Sequence, residues 1–249
     1  MKDKKDLKAL VYQVAAVTDR GQRMNSMIAP MYQDKLIEMK QLVEDLIPKS
    51  DEITKSAIEG EWELIYSSVE LFRSSPFFLA IENALNDKAK SNLFFKLHLL
   101  QVGSFGISTV GRVGQYLNFD KGEIISTFDT TIFGLTTIPI LGWFKLLPTF
   151  GGRVITVANE LQLEDNKLSM ELLKTKVSEV NGLGKIPLLD RMLMERWYPV
   201  KTVWKLLPWN KENPKCDVNV IYVDEDLRII NDMHGALFIY VRPSIPLLD

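Results

Sequence analysis

The 249-residue chain has little of several residue types on which protein chemistry commonly relies. It has one cysteine, Cys216, so no intrachain disulfide can form, and no Asn-x-Ser/Thr sequon points to a secreted surface. That cysteine reads as a plain thiol at the start of a strand. There are two histidines, His98 and His234, and neither has cysteines or carboxylates at metal-ligand spacing, so a zinc centre finds no support. His234 reads as a solvated turn residue; His98 stays unassigned. The formal net charge is only −2. So small a charge sets up no long-range field to gather polyanions, which argues against a nucleic-acid binder. No apolar run reaches the ~18 residues a helical membrane span needs. The richest stretch, "IPILGWFKLLPTF" from Ile138 to Phe150, is interrupted by Lys145 and carries Pro139 and Pro148. It is suited to touching a bilayer, not to crossing one.

Signatures of catalysis are missing too. "NGLGKI" (Asn181 to Ile186) resembles a phosphate loop only in part, because Ile186 follows Lys185 and Glu179 stands where the first glycine is required. The glycines of "VGSFGISTVGRVG" do not spell a dinucleotide fingerprint, and there is no Gly-x-Ser-x-Gly elbow. "DEDLR" (Asp224 to Arg228) places three carboxylates in a row, but strand neighbours alternate faces and no EF-hand loop surrounds them, so the expectation is a solvated turn. The opening "MKDKKDLKAL" matches neither a signal peptide nor a transit peptide, as expected of an untargeted or a mature form.

What the chain does have is an ordinary globular composition, 46% hydrophobic and 25% charged, enough for a sizeable core. Leu7, Leu10, Val11, Val14 and Val17 recur at helical steps before Gly21. Leu36, Met39, Val43, Leu46 and Ile47 predict a second helix, ended by Pro48. Two such helices bury too little alone, so they are expected to pack on the rest of the chain, core packing being weighed against a partner-binding face. From Gly60 the period shifts toward 2. Strands are predicted at 62–68, 113–119, 123–133, 153–163, 168–177, 218–223, 227–230 and 236–242, with compact turns at "DKG", "EDN" and "NDMHG". Short links join antiparallel neighbours, and a meander of about eight strands most simply removes its edges by closing into a barrel. The expected fold is therefore mainly β with helices: residues 1–58 a helical segment packed on a barrel spanning 59–249. Two insertions break the rhythm, at 74–103 and 178–215. Long insertions in compact domains commonly form lids or binding elements. Leu189, Met192, Leu193 and Trp197 can share a helix face in the second.

"GEWELIYSS" opens the first strand with Gly60-x-Trp62, and "VNVIYVDEDLRIINDMHGALFIYVRP" closes the chain. Together with "ELFRSSPFFLA", "VGRVGQYLNFD" and the "DRG" after the first helix, these stretches resemble the plastid lipid-associated proteins, the fibrillins of plastoglobules, over nearly the whole chain. Matching positions include Gly111, Arg112, Gln115, Asn118, Asp224, Asp226 and Arg228. Asn231-Asp232 stands where the family commonly continues Arg-Gly, and the second insertion is unusually rich in Trp and Leu. The resemblance implies a lipocalin-like barrel holding an apolar molecule at plastid lipid bodies or thylakoid surfaces. It also implies that Trp62 plugs the closed end with Arg228 across its ring, a stack worth about 0.5–2 kcal/mol.

Three functional readings follow. The leading one is non-enzymatic binding or transport of a hydrophobic small molecule (fatty acid, quinone, isoprenoid or carotenoid) with no cofactor, metal or nucleic acid. Tyr66, Leu117, Phe119, Phe128, Leu172, Phe238 and Tyr240 are expected to face inward, with Phe77 and Phe78 in a lid; in a filled barrel the same side chains would simply pack together. The second is a peripheral structural protein coating a lipid surface through Trp143, Phe144, Trp204 and Trp209 beside Lys145 and Lys205. The third, an enzyme using Tyr222, Asp224, Asp226 and Arg228 at one barrel end, lacks a nucleophile–base pair.

Overall fold

A computed structural model of the protein describes residues 2–25, 29–104, 107–138, 143–181, 196–204 and 213–247. The first helix, α1 (Lys4–Val17), starts where the Asp3 carboxylate accepts a hydrogen bond from the Asp6 N–H, and it buries Leu7, Val11 and Val14 along one stripe. The second, α2 (Gln33–Leu46), buries Met39, Leu42, Val43 and Leu46, while Ile47 just beyond it is exposed. A single turn, α3 (Lys55–Ile58), capped by Thr54, leads into the first strand.

The strands are β1 (Gly60–Ser67), β2 (Ile107–Asn118), β3 (Glu123–Ile138), β4 (Trp143–Glu164), β5 (Lys167–Asn181), the two-residue β6 (Tyr198–Pro199), β7 (Lys215–Val223), β8 (Leu227–Asn231) and β9 (Leu237–Val241). Hydrogen-bonded neighbours run β4-β3-β2-β1-β9-β8-β7-β5, and β5 also pairs with β4, so eight antiparallel strands close a ring. β6 adds two residues to β5. Closure leaves no exposed edge among these eight, which is how a meander of such strands avoids pairing with other chains.

The predicted first insertion folds as α4 (Pro76–Leu85) and α5 (Lys88–Ser104). Pro76 occupies the first helical turn, where its missing N–H costs nothing, and α4 ends on Asn86 in the left-handed region. The second insertion is shorter than expected, since β5 continues through Ser178 to Asn181. Its described remainder is β6 and α6 (Val200–Trp204). Trp197 lies outside any helix, with Lys174 Nζ and Lys176 Nζ 4.5 and 5.1 Å from its ring; Leu189, Met192 and Leu193 fall outside the described residues.

Two cores result. Inside the ring, Trp62, Leu64, Leu117, Leu172, Val218, Phe238 and Tyr240 pack with Leu79, Ala80 and Ile81 of α4. Outside it, α1 and α2 cover β1 and β7–β9 through Tyr66, Tyr222, Leu227, Ile229 and Ile239. β8 and β9 are consequently buried on both faces.

Tyr66 does not face inward as alternation predicts. A β-bulge between Leu64 and Tyr66 inserts one extra residue, so Trp62 and Leu64 point into the ring and Tyr66 points out onto the helices. A second bulge, between Val220 and Tyr222, does the same for Tyr222. The two tyrosines thereby meet one outer core.

Candidate functional site

At one end of the ring, indole and guanidinium groups fill the space. Trp62 is fully buried, and its Nε1–H donates to the Ile58 carbonyl at 2.8 Å. Arg228 Cζ lies 5.0 Å from the Trp62 ring centre and 4.6 Å from that of Tyr240. The Arg228 Nη2 donates to Gln115 Oε1 at 2.6 Å, and Gln115 in turn donates to the Tyr240 hydroxyl at 3.2 Å. Burial pushes the Arg228 guanidinium down to about 10, which still leaves it charged at neutral pH. Among the described residues no carboxylate reaches it and its Nε and Nη1 have no hydrogen-bond partner; the rings and the Gln115 amide carry its compensation. The nearer partner of Trp62 is an arginine that sequence reasoning missed. Arg242 Cζ is 3.7 Å from the ring centre, and its fork donates to the carbonyls of Ala57, Glu59 and Glu61. The signal was available: Phe238, Tyr240 and Arg242 sit two apart, so inward alternation continues one step past the tyrosine.

The other end differs. Trp62 pairs with Gln115, and from that level Val110 lies five residues along β2, Phe128 and Thr130 two and four along β3, and Val154 two along β4. There a cavity of about 460 Å³ opens beneath α5, walled by Leu71, Phe72, Phe78, Val110, Phe128 and Val154, with Asp19, Arg20, Glu70 and His98 adding polarity. That volume falls in the range of small-molecule sites. A bulge in β2 between Val110 and Val113 frees two carbonyls, which Arg20 satisfies: Nη1 donates to Gly111 O at 2.6 Å and Nη2 to Val110 O at 2.7 Å. The "DRG" segment is fixed in turn by β1, whose Ser67 N–H donates to the Arg20 carbonyl. Gly21 has φ +85°, and a Cβ there would stand 2.0 Å from Ser67 O, so only glycine fits. His98, on the inner face of α5, touches Phe72 and Phe78 with ring centres 5.1 and 5.2 Å away, and burial pushes its imidazole below the ordinary value.

Of the residues read as ligand-facing, Phe78 and Phe128 line this cavity. Leu117, Leu172, Phe238 and Tyr240 are buried in the packed core of the ring. Phe119, beyond the end of β2, is half-buried with Lys55 Nζ 5.9 Å from its ring. Phe77 packs edge-on to Phe78 at 5.3 Å and to Trp204 at 6.4 Å. Trp204 is therefore a core residue, 2% exposed, and not a surface anchor: α6 turns its indole against α4. Trp143 and Phe144 begin β4 in register with Ile138 and Thr137, the described part being the backbone, and Trp209 lies outside the described residues.

The acidic turn is solvated only in part, at Glu225 and at the half-exposed Asp226. Asp224 is buried, accepts from Tyr222 and Lys8, and caps the turn through the Asp226 and Leu227 N–H groups; Lys8 also bonds Asp226. Burial alone would raise the Asp224 carboxyl, but hydrogen bonds from Tyr222, Asp226 and Lys8 hold it well below the ordinary range. This ties α1 to the ring from outside. Arg228 points inside, so Tyr222, Asp224 and Asp226 do not share a site with it. His234 is likewise enclosed rather than solvated, its Nε2 3.9 Å from Glu82 Oε1. Among the described residues no three His, Cys, Asp or Glu side chains are placed to hold a metal ion, and no helix is long and apolar enough to cross a membrane.

An eight-stranded antiparallel ring with one end sealed and an apolar cavity at the other defines a lipocalin-like barrel. The model of the PAP_fibrillin family matches residues 5–241, nearly the entire chain. The chain belongs to this family, the fibrillins or plastid lipid-associated proteins. No curated protein and no solved structure matches it.

Proposed function

We propose that the protein is a non-enzymatic carrier of a hydrophobic small molecule, taken up in the cavity beneath α5 at plastid lipid bodies or membranes. The apolar cavity carries this reading, and membership in a lipid-associated plastid family supports it. Removing about 300 Å² of ligand surface from water, at about 25 cal/mol per Å², is worth about 7 kcal/mol before association costs, so micromolar retention, at about 8 kcal/mol net, needs a longer apolar chain or added polar contacts. The test is binding of the uncharged fluorescent dye 1-N-phenylnaphthylamine, with native mass spectrometry of gently purified protein to identify any resident lipid. Val154→Phe, which fills the cavity, should weaken the dye at least tenfold with an unchanged circular dichroism spectrum, whereas Tyr66→Phe on the outer face should leave it untouched. A wild type that binds no dye, or a Val154→Phe variant that binds it equally well, would sink the proposal.

One observation favours a second, compatible reading as a peripheral coat. α5 exposes Leu93 and Leu97 to 58% and 56%, one helical turn apart, among the exposed Lys88, Lys90 and Lys96. Apolar side chains ringed by lysines suit an anionic headgroup boundary. Leu93→Ser/Leu97→Ser should then abolish flotation with vesicles containing anionic lipid; equal flotation of variant and wild type counts against it.

A further inference from the structure

The polar groups around the cavity discriminate between ligand head groups. Two carboxylates, Asp19 and Glu70, line it. The cations nearby are engaged. Arg20 is held by the Val110 and Gly111 carbonyls, and Arg73, 3.6 Å from Glu70, donates to Glu82 at 2.9 Å and lies over the Phe95 ring. An entering carboxylate or phosphate would thus meet like charge and find no unengaged cation among the described lining residues. Uncharged polar groups are present: the Thr109 and Thr130 hydroxyls and His98. Gln22 is spent, its amide donating to Val69 O and accepting from the Leu71 N–H.

His98 stands apart from these. It is half-buried in an aromatic nest of Phe72, Phe78 and Phe94, and it makes no hydrogen bond to any described residue. Packing alone would be served as well by phenylalanine. Burial keeps the imidazole neutral at physiological pH, leaving it one donor and one acceptor to offer.

We propose that the cavity selects an apolar molecule ending in an uncharged hydrogen-bonding group, a carbonyl or hydroxyl, and that His98 is the residue that meets it. This rests on the carrier reading above. A site whose buried polar group is left unpaired by the wrong ligand discriminates strongly against that ligand, so an effect of about tenfold is expected from one such bond.

The test displaces 1-N-phenylnaphthylamine from the full chain at pH 8 with three twelve-carbon competitors: dodecan-2-one, dodecan-1-ol and dodecanoate. Ketone and alcohol should compete at least tenfold better than dodecanoate. His98→Phe should keep the dye but weaken ketone and alcohol five- to tenfold, with dodecanoate unchanged, and His98→Asn should restore much of the loss. Dodecanoate as the best competitor, or a His98→Phe variant that shifts all three alike or none, would overturn the assignment. Absence of dye binding by the wild type would instead bring down the carrier reading itself, and this inference with it.

Discussion

Raising the pH from 5 to 8 ionises a carboxyl that the fold holds out of water. Glu82, on the inner face of α4, is 1% exposed; its Oε1 accepts from Arg73 Nη2, while its Oε2 and Asp232 Oδ2 have no hydrogen-bond partner among the described residues. Burial first, then the neighbouring Asp232 carboxylate, push Glu82 up to about 7, overcoming the opposite pull of Arg73. Between its ordinary value of 4.5 and that point, the folded chain binds a proton that the unfolded chain has released. Stability is therefore fully supported below about pH 4.5 and falls as pH rises through 7. At ~1.4 kcal/mol per pH unit, the loss between pH 5 and 8 is about 2 to 3 kcal/mol. Asp224 does not confuse the window: its carboxyl is depressed, so the stability it supplies is present above its ordinary 3.8 and vanishes only in stronger acid. Glutamine mimics the protonated acid and still accepts from Arg73. Urea unfolding followed by circular dichroism should find Glu82→Gln equal to wild type at pH 5 and about 2 to 3 kcal/mol more stable at pH 8. Parallel stability curves across that range would refute the reasoning.

Other substitutions test the remaining contacts. Gly21→Ala should cost about 3 kcal/mol or more in urea unfolding, because the left-handed backbone and the Ser67 carbonyl both reject a Cβ. Arg242→Met should cost about 3 kcal/mol in the same assay, from the lost stack on Trp62 and three carbonyls left without a donor. Tyr66→Phe should change stability by less than about 0.5 kcal/mol, since the hydroxyl has no partner among the described residues; a larger loss would show that it has one.

The ring was legible in the sequence because its strands alternate and its turns are short; eight strands fall within a few residues of their expected places, apart from early starts at β2 and β4 and late ends at β3 and β5. The register of faces was less legible. A bulge shifts the parity of everything beyond it, and nothing in "WELIYSS" or "NVIYVD" marks the extra residue. Reading Tyr66 inward assumed an unbroken period of 2. The solvated reading of the acidic turn failed at Asp224 for a different reason: Lys8, which pairs with it, is 216 residues away, and adjacency in sequence cannot report that. The cavity was half legible. Phe78 and Phe128 follow from apolar patterning, but His98 and Arg20 reach the wall only through the course of α5 and the left-handed "DRG" loop, neither of which leaves a periodic trace.

The two ends of the barrel differ electrostatically. At the Trp62 end two guanidiniums lie over one indole: Arg242 is satisfied by three carbonyls, and Arg228 is held by Gln115 and two rings, with no hydrogen-bond partner for its Nε and Nη1 among the described residues. A ligand could enter there only by displacing aromatic faces from buried cations, leaving charge uncompensated in a low dielectric. At the other end no buried cation has to be displaced: Arg20 spends its fork on bulge carbonyls, and the walls beneath α5 are mainly aliphatic and aromatic, with Asp19 and Glu70 among the lining. Under the proposed carrier function, a ligand at that end would cover apolar wall without displacing the Arg20 fork from its carbonyls. The bulge in β2 links the two roles: it opens the strand beside the cavity, and the loop that repairs it is the one pinned to β1 by Gly21. A change at Gly21 should therefore reach the cavity through Arg20, whereas a change at Arg242 should weaken the barrel and leave the affinity of the folded protein for an apolar dye as it was.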